Sequence, residues 1–163
     1  MKKPALISIT STILIFMLWH CSRDTETGYK YYKGLETYMQ EIFNITLSET
    51  EMRNYFIIVD KSCAPCSEET YKMLLETDFP NVCIIFVKDA SLKKHESYIK
   101  KLKEKYTTLL DSSEELRYYP TNIRTPFYIE IRDGQPEYYK YLNYKNIDEF
   151  KMEYRQKQKK EIY

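Results

Sequence analysis

Cys63 and Cys66 are separated by Ala64 and Pro65. Two cysteines at this spacing, placed where a strand gives way to a helix, have a specific chemical use. The first-turn N–H groups of the helix point at Cys63 and favour its thiolate over its thiol, which lowers its pKa and activates it as a nucleophile. Cys66, one turn further on, lies on the same helical face, so its sulfur can reach the first and resolve a mixed disulfide. Pro65 fixes one backbone angle of the first turn without costing a helical hydrogen bond. Other chemistries lack their residues. Glycine occurs only at Gly28, Gly34 and Gly134, too scattered for a dinucleotide fingerprint or a phosphate-cradling loop. The two histidines are His20, inside a leader, and His95, so one mature chain can assemble neither a Ser-His-Asp triad nor a multi-histidine metal site.

The elements that must hold this pair follow from apolar patterning. Tyr55-Phe56-Ile57-Ile58-Val59 is a β-branched and aromatic run that ends at Asp60, as a buried strand does. Ser62 is positioned to cap the next helix, whose apolar stripe runs from Cys66 through Tyr71, Met73 and Leu74 until Phe79-Pro80-Asn81 stops it. Val82 to Val87 is a second buried strand. Before these, from Tyr29 to Phe43, the apolar residues Tyr31, Leu35, Tyr38, Met39, Ile42 and Phe43 recur at helical spacing, which predicts a helix over 29–43 with a stop at Asn44. After them, Ser91 to about Tyr106 reads as a polar helix packing through Leu92, Tyr98, Ile99, Leu102 and Tyr106, with His95 solvated. A long connection leads to Thr125-Pro126 and the strand Phe127 to Ile131. The Asp133-Gly134 pair then turns the chain into an antiparallel strand over Glu137 to Leu142. Asn146-Ile147-Asp148-Glu149 resembles a capping box for a last helix with Ile147, Phe150 and Tyr154 inward. This alternation followed by a hairpin specifies an α/β domain: a mixed sheet with helices on both faces.

Residues 1 to 20 have the form of a secretory signal: Lys2 and Lys3, then an apolar stretch of about 16 residues from Pro4 to Trp19, short against the roughly 20 needed to span a bilayer. Cys21 follows directly, and Leu18-Trp19-His20-Cys21 resembles a bacterial lipobox, with His20 where a small residue is usual. The expected division is a lipoprotein-type signal peptide over 1–20, a polar tether over 21–28, and one folded domain over 29–163. An uncleaved signal anchor is the alternative for the leader. Either way the domain is tethered to a membrane outside the cytoplasm, in a periplasm or cell envelope where disulfides persist. Lys and Arg number 25 against 24 Asp and Glu, and loss of Lys2 and Lys3 with the leader takes the net charge from +1 to −1. No nucleic-acid partner follows from such a balance.

The Tyr55 to Leu75 stretch carrying Cys63-Ala64-Pro65-Cys66, together with Thr125-Pro126 before the Phe127 strand, resembles the thioredoxin superfamily, in particular membrane-tethered TlpA/ResA-like thiol–disulfide oxidoreductases. The resemblance implies a thioredoxin-like fold and a cis Pro126 facing the disulfide. It also implies that the Thr125 backbone pairs with an extended substrate. The implied partners are a protein disulfide or dithiol and a membrane thiol reductase as electron donor, with reduction of the substrate as the direction and no cofactor. Three departures stand out. Ser62 replaces the tryptophan that precedes the first cysteine in thioredoxins. Ile57 stands where many of them bury a proton-carrying acid. The stretch from Lys103 to Asn122 is longer than a minimal thioredoxin requires, as a substrate-selecting insertion or lid would be.

Other readings compete. Cys63 and Cys66 can form a purely structural disulfide, although so short a loop gains little chain entropy by closing. A zinc half-site would need Cys83 and His95 as further ligands, and no metal is expected. Cys83, between Val82 and Ile84, reads as a small core residue. The Lys151 to Lys160 run reads as an exposed helix face. A lipoprotein interaction module with this fold but little redox turnover is the rival function, motivated by Ile57, Ser62 and the tyrosines of the C-terminal third. If Cys21 is the lipidation site, metabolic labelling with a fatty acid will mark the parent protein and Cys21→Ser will carry no label; label persisting in the variant returns the leader to a signal anchor.

Overall fold

The computed structural model describes residues 29–49, 54–59, 63–87 and 90–161. The leader, the tether with Cys21, and Ser62 lie outside the described residues. Helix α1 (Tyr32–Phe43) is followed by β1 (Asn54–Val59), α2 (Ala64–Glu76) and β2 (Val82–Val87). A 3-10 turn (Ala90–His95) then enters α3 (Glu96–Lys105), and β3 (Thr107–Asp111) follows. After a second 3-10 turn (Glu115–Tyr118) come β4 (Phe127–Arg132), β5 (Gln135–Tyr141) and α4 (Ile147–Glu161).

The five strands form one sheet in the order β3-β2-β1-β4-β5. β1 pairs parallel with β2 and β2 parallel with β3, whereas β4 runs antiparallel to both β1 and β5. Alternation along the strands divides the core in two. Tyr55, Ile57, Ile85, Phe127 and Ile129 face α1, where they pack with Leu35, Tyr38 and Met39. Phe56, Ile58, Ile84, Phe86 and Tyr128 face the other helices, packing with Tyr71 and Leu74 of α2, Leu102 of α3 and Phe150 and Tyr154 of α4. Helices thus cover both faces of a mixed sheet, a thioredoxin-like α/β architecture. The central strands read as unbroken apolar runs because both of their faces are covered.

Several local expectations are met and several change. α1 ends at Asn44 in the left-handed conformation (φ 55°), and the Ile45 N–H closes back on the Met39 carbonyl at 3.1 Å, the C-terminal geometry that Asn tolerates. It begins three residues later than its apolar spacing suggests, leaving Tyr29 as a buried plug. The polar helix after β2 starts as a 3-10 turn and is α-helical only from Glu96. The Asn146 side chain forms no simple box; it accepts from the Asn143 N–H at 2.8 Å and donates to the Tyr141 carbonyl at 2.9 Å, tying α4 to the end of β5.

The largest correction concerns the connection after α3. Thr107–Asp111, read from the sequence as loop, is the parallel edge strand β3, in register with β2 from Cys83 opposite Thr107 to Val87 opposite Asp111. The chain from Asp111 to Phe127 is tied to the rest of the domain at several points. Asp111 is 1% exposed, and its carboxylate accepts the N–H groups of Ser113, Glu115 and Leu116 and the hydroxyl of Tyr38. Further along, the Tyr29 hydroxyl donates to the Thr121 carbonyl. Pro120 lies against Gly34 of α1 so closely that a Cβ there would stand 2.6 Å from the Pro120 oxygen.

The β4–β5 turn has φ of 51° at Asp133 and 72° at Gly134, the left-handed pair that a tight hairpin demands. A Cβ on Gly134 would also lie 2.6 Å from the Ser48 Cβ. Gly134→Ala should therefore cost about 1–2 kcal/mol from backbone strain alone and more from the contact, read as a lower urea midpoint at unchanged slope.

Candidate redox site

Cys63 occupies the N-cap of α2 with extended backbone (φ −159°), and Pro65 stands in the first turn, where its missing N–H costs nothing. This moves the cap one residue beyond Ser62. The Cys63 carbonyl accepts from the N–H groups of Cys66 at 3.0 Å and Ser67 at 3.2 Å, winding the first turn tightly. Within it Cys63 and Cys66 are joined as a disulfide, with their Cα atoms 5.2 Å apart. The two sulfurs differ in access: Cys63 is half-buried, whereas Cys66 is 2% exposed. Thr70, one turn beyond, donates its hydroxyl to the Cys66 carbonyl at 2.7 Å and is itself fully buried. No acidic side chain stands in the first turn of α2. Just beyond it, Lys72 pairs with Glu68 at 3.0 Å and Glu69 at 2.8 Å. The Lys72 hydrogen bond and charge hold the Glu68 carboxyl below its usual range.

The ends of the strands place this pair. Val59, Val87 and Asp111 stand abreast in the parallel registers, so β1, β2 and β3 finish on one line, and α2 with its disulfide leaves from that line. β4 enters there from the opposite direction, with Phe127 opposite Ile57. Thr125 and Pro126 consequently lie at the same sheet edge as the cysteines, Thr125 half-buried and Pro126 buried.

The expected geometry at Pro126 is not met. No cis peptide bond occurs among the described residues, so the Thr125–Pro126 bond is trans. The Pro126 carbonyl accepts the Leu142 N–H at 2.7 Å, which commits it to the exit of β5. The substrate pairing expected of Thr125 was built on a cis bond and is withdrawn with it.

Ile57 is fully buried in the core beneath α1. An aliphatic side chain therefore fills the position where the resemblance would place an acid. Ser67, next to Cys66, is fully buried, and its hydroxyl has no hydrogen-bond partner among the described residues. His95, expected to be solvated, is 2% exposed, its ring 5.3 Å from that of Tyr71 on α2 and 6.3 Å from that of Tyr98. One aromatic from each flanking helix covers it, a tertiary arrangement that a polar sequence window does not display. Cys83 is a free, buried core cysteine, and burial pushes its thiol up to about 12. Among the described residues no group of three or more His, Cys, Asp or Glu gathers as a metal site would require, and no helix is long and apolar enough to cross a membrane.

No family model, curated protein or solved structure matches the chain. The chemistry must accordingly be argued from the pair itself. Sequence reasoning missed the anchor Asp111, although Asp111-Ser112-Ser113 has the composition of an Asx turn and so carried a local signal.

After reduction, limiting iodoacetamide should alkylate Cys63 first and Cys66 slowly, and leave Cys83 unmodified until denaturant is added. Mass mapping of the labelled peptides reads the order, and preferential labelling of Cys66 would overturn the assigned roles.

Proposed function

We propose that this protein is a membrane-tethered, extracytoplasmic thiol–disulfide oxidoreductase that reduces protein disulfides through Cys63 and Cys66. The observation that carries the reading is the asymmetric pair at the start of α2: a half-buried Cys63 at the N-cap, bonded to a buried Cys66 one turn behind. Only the outer sulfur is accessible to a protein client, and it is also the one nearest the helix terminus that favours a thiolate.

In the reduced protein, the Cys63 thiolate attacks one sulfur of a client disulfide. A mixed disulfide forms as the client S–S bond breaks, and the other client sulfur leaves as a thiolate that takes up a proton. Cys66 then gives up its proton and attacks Cys63. The Cys63–client bond breaks, the second client thiol is released, and the Cys63–Cys66 bond forms. Two electrons have passed from the dithiol to the client. A membrane dithiol reductase, partnered by the tether, returns them by the same exchange in reverse.

The rival reading, an interaction module that keeps the disulfide but turns over little, draws support from Ile57. With an aliphatic group there, that position offers no acid to carry the Cys66 proton. Reduction of a protein disulfide by the mature chain, supplied with a chemical dithiol, separates the two. Turnover should fall at least a hundredfold in Cys63→Ser, an order-of-magnitude expectation for loss of a covalent nucleophile. Cys66→Ser should accumulate a mixed disulfide visible on a non-reducing gel. Turnover no faster than that of the dithiol alone would leave the interaction module standing.

A further inference from the structure

The first turn of α2 has few amides to offer the Cys63 sulfur. Pro65 carries no N–H, and the N–H groups of Cys66 and Ser67 are both committed to the Cys63 carbonyl, at 3.0 and 3.2 Å. Of the first-turn amides only that of Ala64 remains. Cys63 is also half-buried, so water hydrates only part of it. The field of the helix terminus favours a thiolate there, but an anion is held best by donors that touch it.

Ser67 carries a donor in reserve. Its side chain is fully buried, and its hydroxyl has no hydrogen-bond partner among the described residues. Thr70 shows what a buried helical hydroxyl ordinarily does: it donates to the carbonyl four residues back, that of Cys66, at 2.7 Å. The matching acceptor for Ser67 is the Cys63 carbonyl, which already takes two N–H groups. A buried hydroxyl left unpaired is unfavourable, so the disulfide form bears that cost. Side chains four apart share one face of a helix and lean towards its N-terminus, with Cβ atoms about 5–6 Å apart. Ser67 stands in this relation to Cys63, tied to it through the backbone at 3.2 Å. A sulfur and a hydroxyl turned towards each other close such a span to hydrogen-bond contact.

We infer that the Ser67 hydroxyl is the donor that holds the Cys63 thiolate once the disulfide opens. This deepens the proposed function and rests on it for Cys63 as the attacking sulfur. Two glutathione thiols reducing the pair open the Cys63–Cys66 bond, form glutathione disulfide and pass two electrons to the pair. Cys66 is left as a thiol and Cys63 as a thiolate, with the second proton released to solvent. The Ser67 hydroxyl gains its acceptor in that step. One side chain thereby biases both the acidity of Cys63 and the equilibrium of the pair, in each case towards the reactive dithiol form.

The test compares the full chain with Ser67→Ala, which removes the donor and buries nothing new. The midpoint of Cys63 alkylation by iodoacetamide against pH should rise by about one unit, the effect of one charge-assisted hydrogen bond. In glutathione buffers the variant's disulfide should be about tenfold harder to reduce, read by mass after trapping the thiols. Ser67→Thr, which keeps the hydroxyl, should retain most of both values. The oxidised Ser67→Ala protein should unfold at a urea midpoint equal to or above that of the parent, because the hydroxyl has no partner to lose. A Cys63 midpoint that stays put in Ser67→Ala overturns the inference, and so does a lower urea midpoint of the oxidised variant. Both readouts use small reagents and need no client. A shifted midpoint in a chain that reduces no protein disulfide would sustain the Ser67 contact and refute the proposed activity, and turnover with an unmoved midpoint would do the reverse.

Discussion

The carboxylate of Asp111 is the junction on which the disulfide-bearing edge of the sheet depends. It ends β3 in a buried position, where an ionised group is tolerated only if its lone pairs are met. Three backbone N–H groups of the following turn and the Tyr38 hydroxyl of α1 meet them. One side chain thus fastens the edge strand, the helix on the adjacent face and the start of the crossing segment together. Burial and the carboxylate push the Tyr38 hydroxyl pKa far above its ordinary value, which favours its protonated, donating form. The path of the chain over the strand ends is set at this point.

What could be read from the residues alone was whatever local sequence determines. Tyr55 to Val59 and Val82 to Val87 are apolar because helices cover both of their faces, and such runs announce themselves. Asp133-Gly134 declares its turn through the backbone angles that only a few residues tolerate. Thr107–Asp111 declared nothing, because an edge strand with Thr107 and Leu110 exposed and Asp111 buried has no simple alternation. It becomes a strand by pairing with β2, a choice made by the tertiary structure. His95 and Pro126 were misread for a related reason. A histidine in a run of lysines is buried only because Tyr71 and Tyr98 close over it, and the isomer of an X–Pro bond is fixed by its surroundings.

The candidate site divides along the same line. The strand-to-helix placement of Cys63 and Cys66, the proline between them and the greater burial of the second cysteine all arise within a single turn of chain, and all were legible. The opposing segment was not, because it arrives from sixty residues away by a route that required β3. Ile57 shows how the two interact. The strand position is fixed by patterning, yet its side chain points beneath α1, into the half of the core opposite α2. The buried hydroxyls nearest Cys66 in sequence are those of Ser67 and Thr70, on α2 itself.

The buried thiol of Cys83 gives the fold a further role as guardian of correct oxidation. With three described cysteines, an unfolded chain can pair Cys83 with either of the other two. In the native state only the short ring between Cys63 and Cys66 is accessible to exchange, because Cys83 is sealed at 1% exposure within β2. Scrambling must therefore wait for β2 to leave the sheet, between its two parallel neighbours. Mispairing of Cys83 is then limited by the barrier to unfolding. The centre of the sheet serves as a kinetic lock on covalent chemistry at its edge.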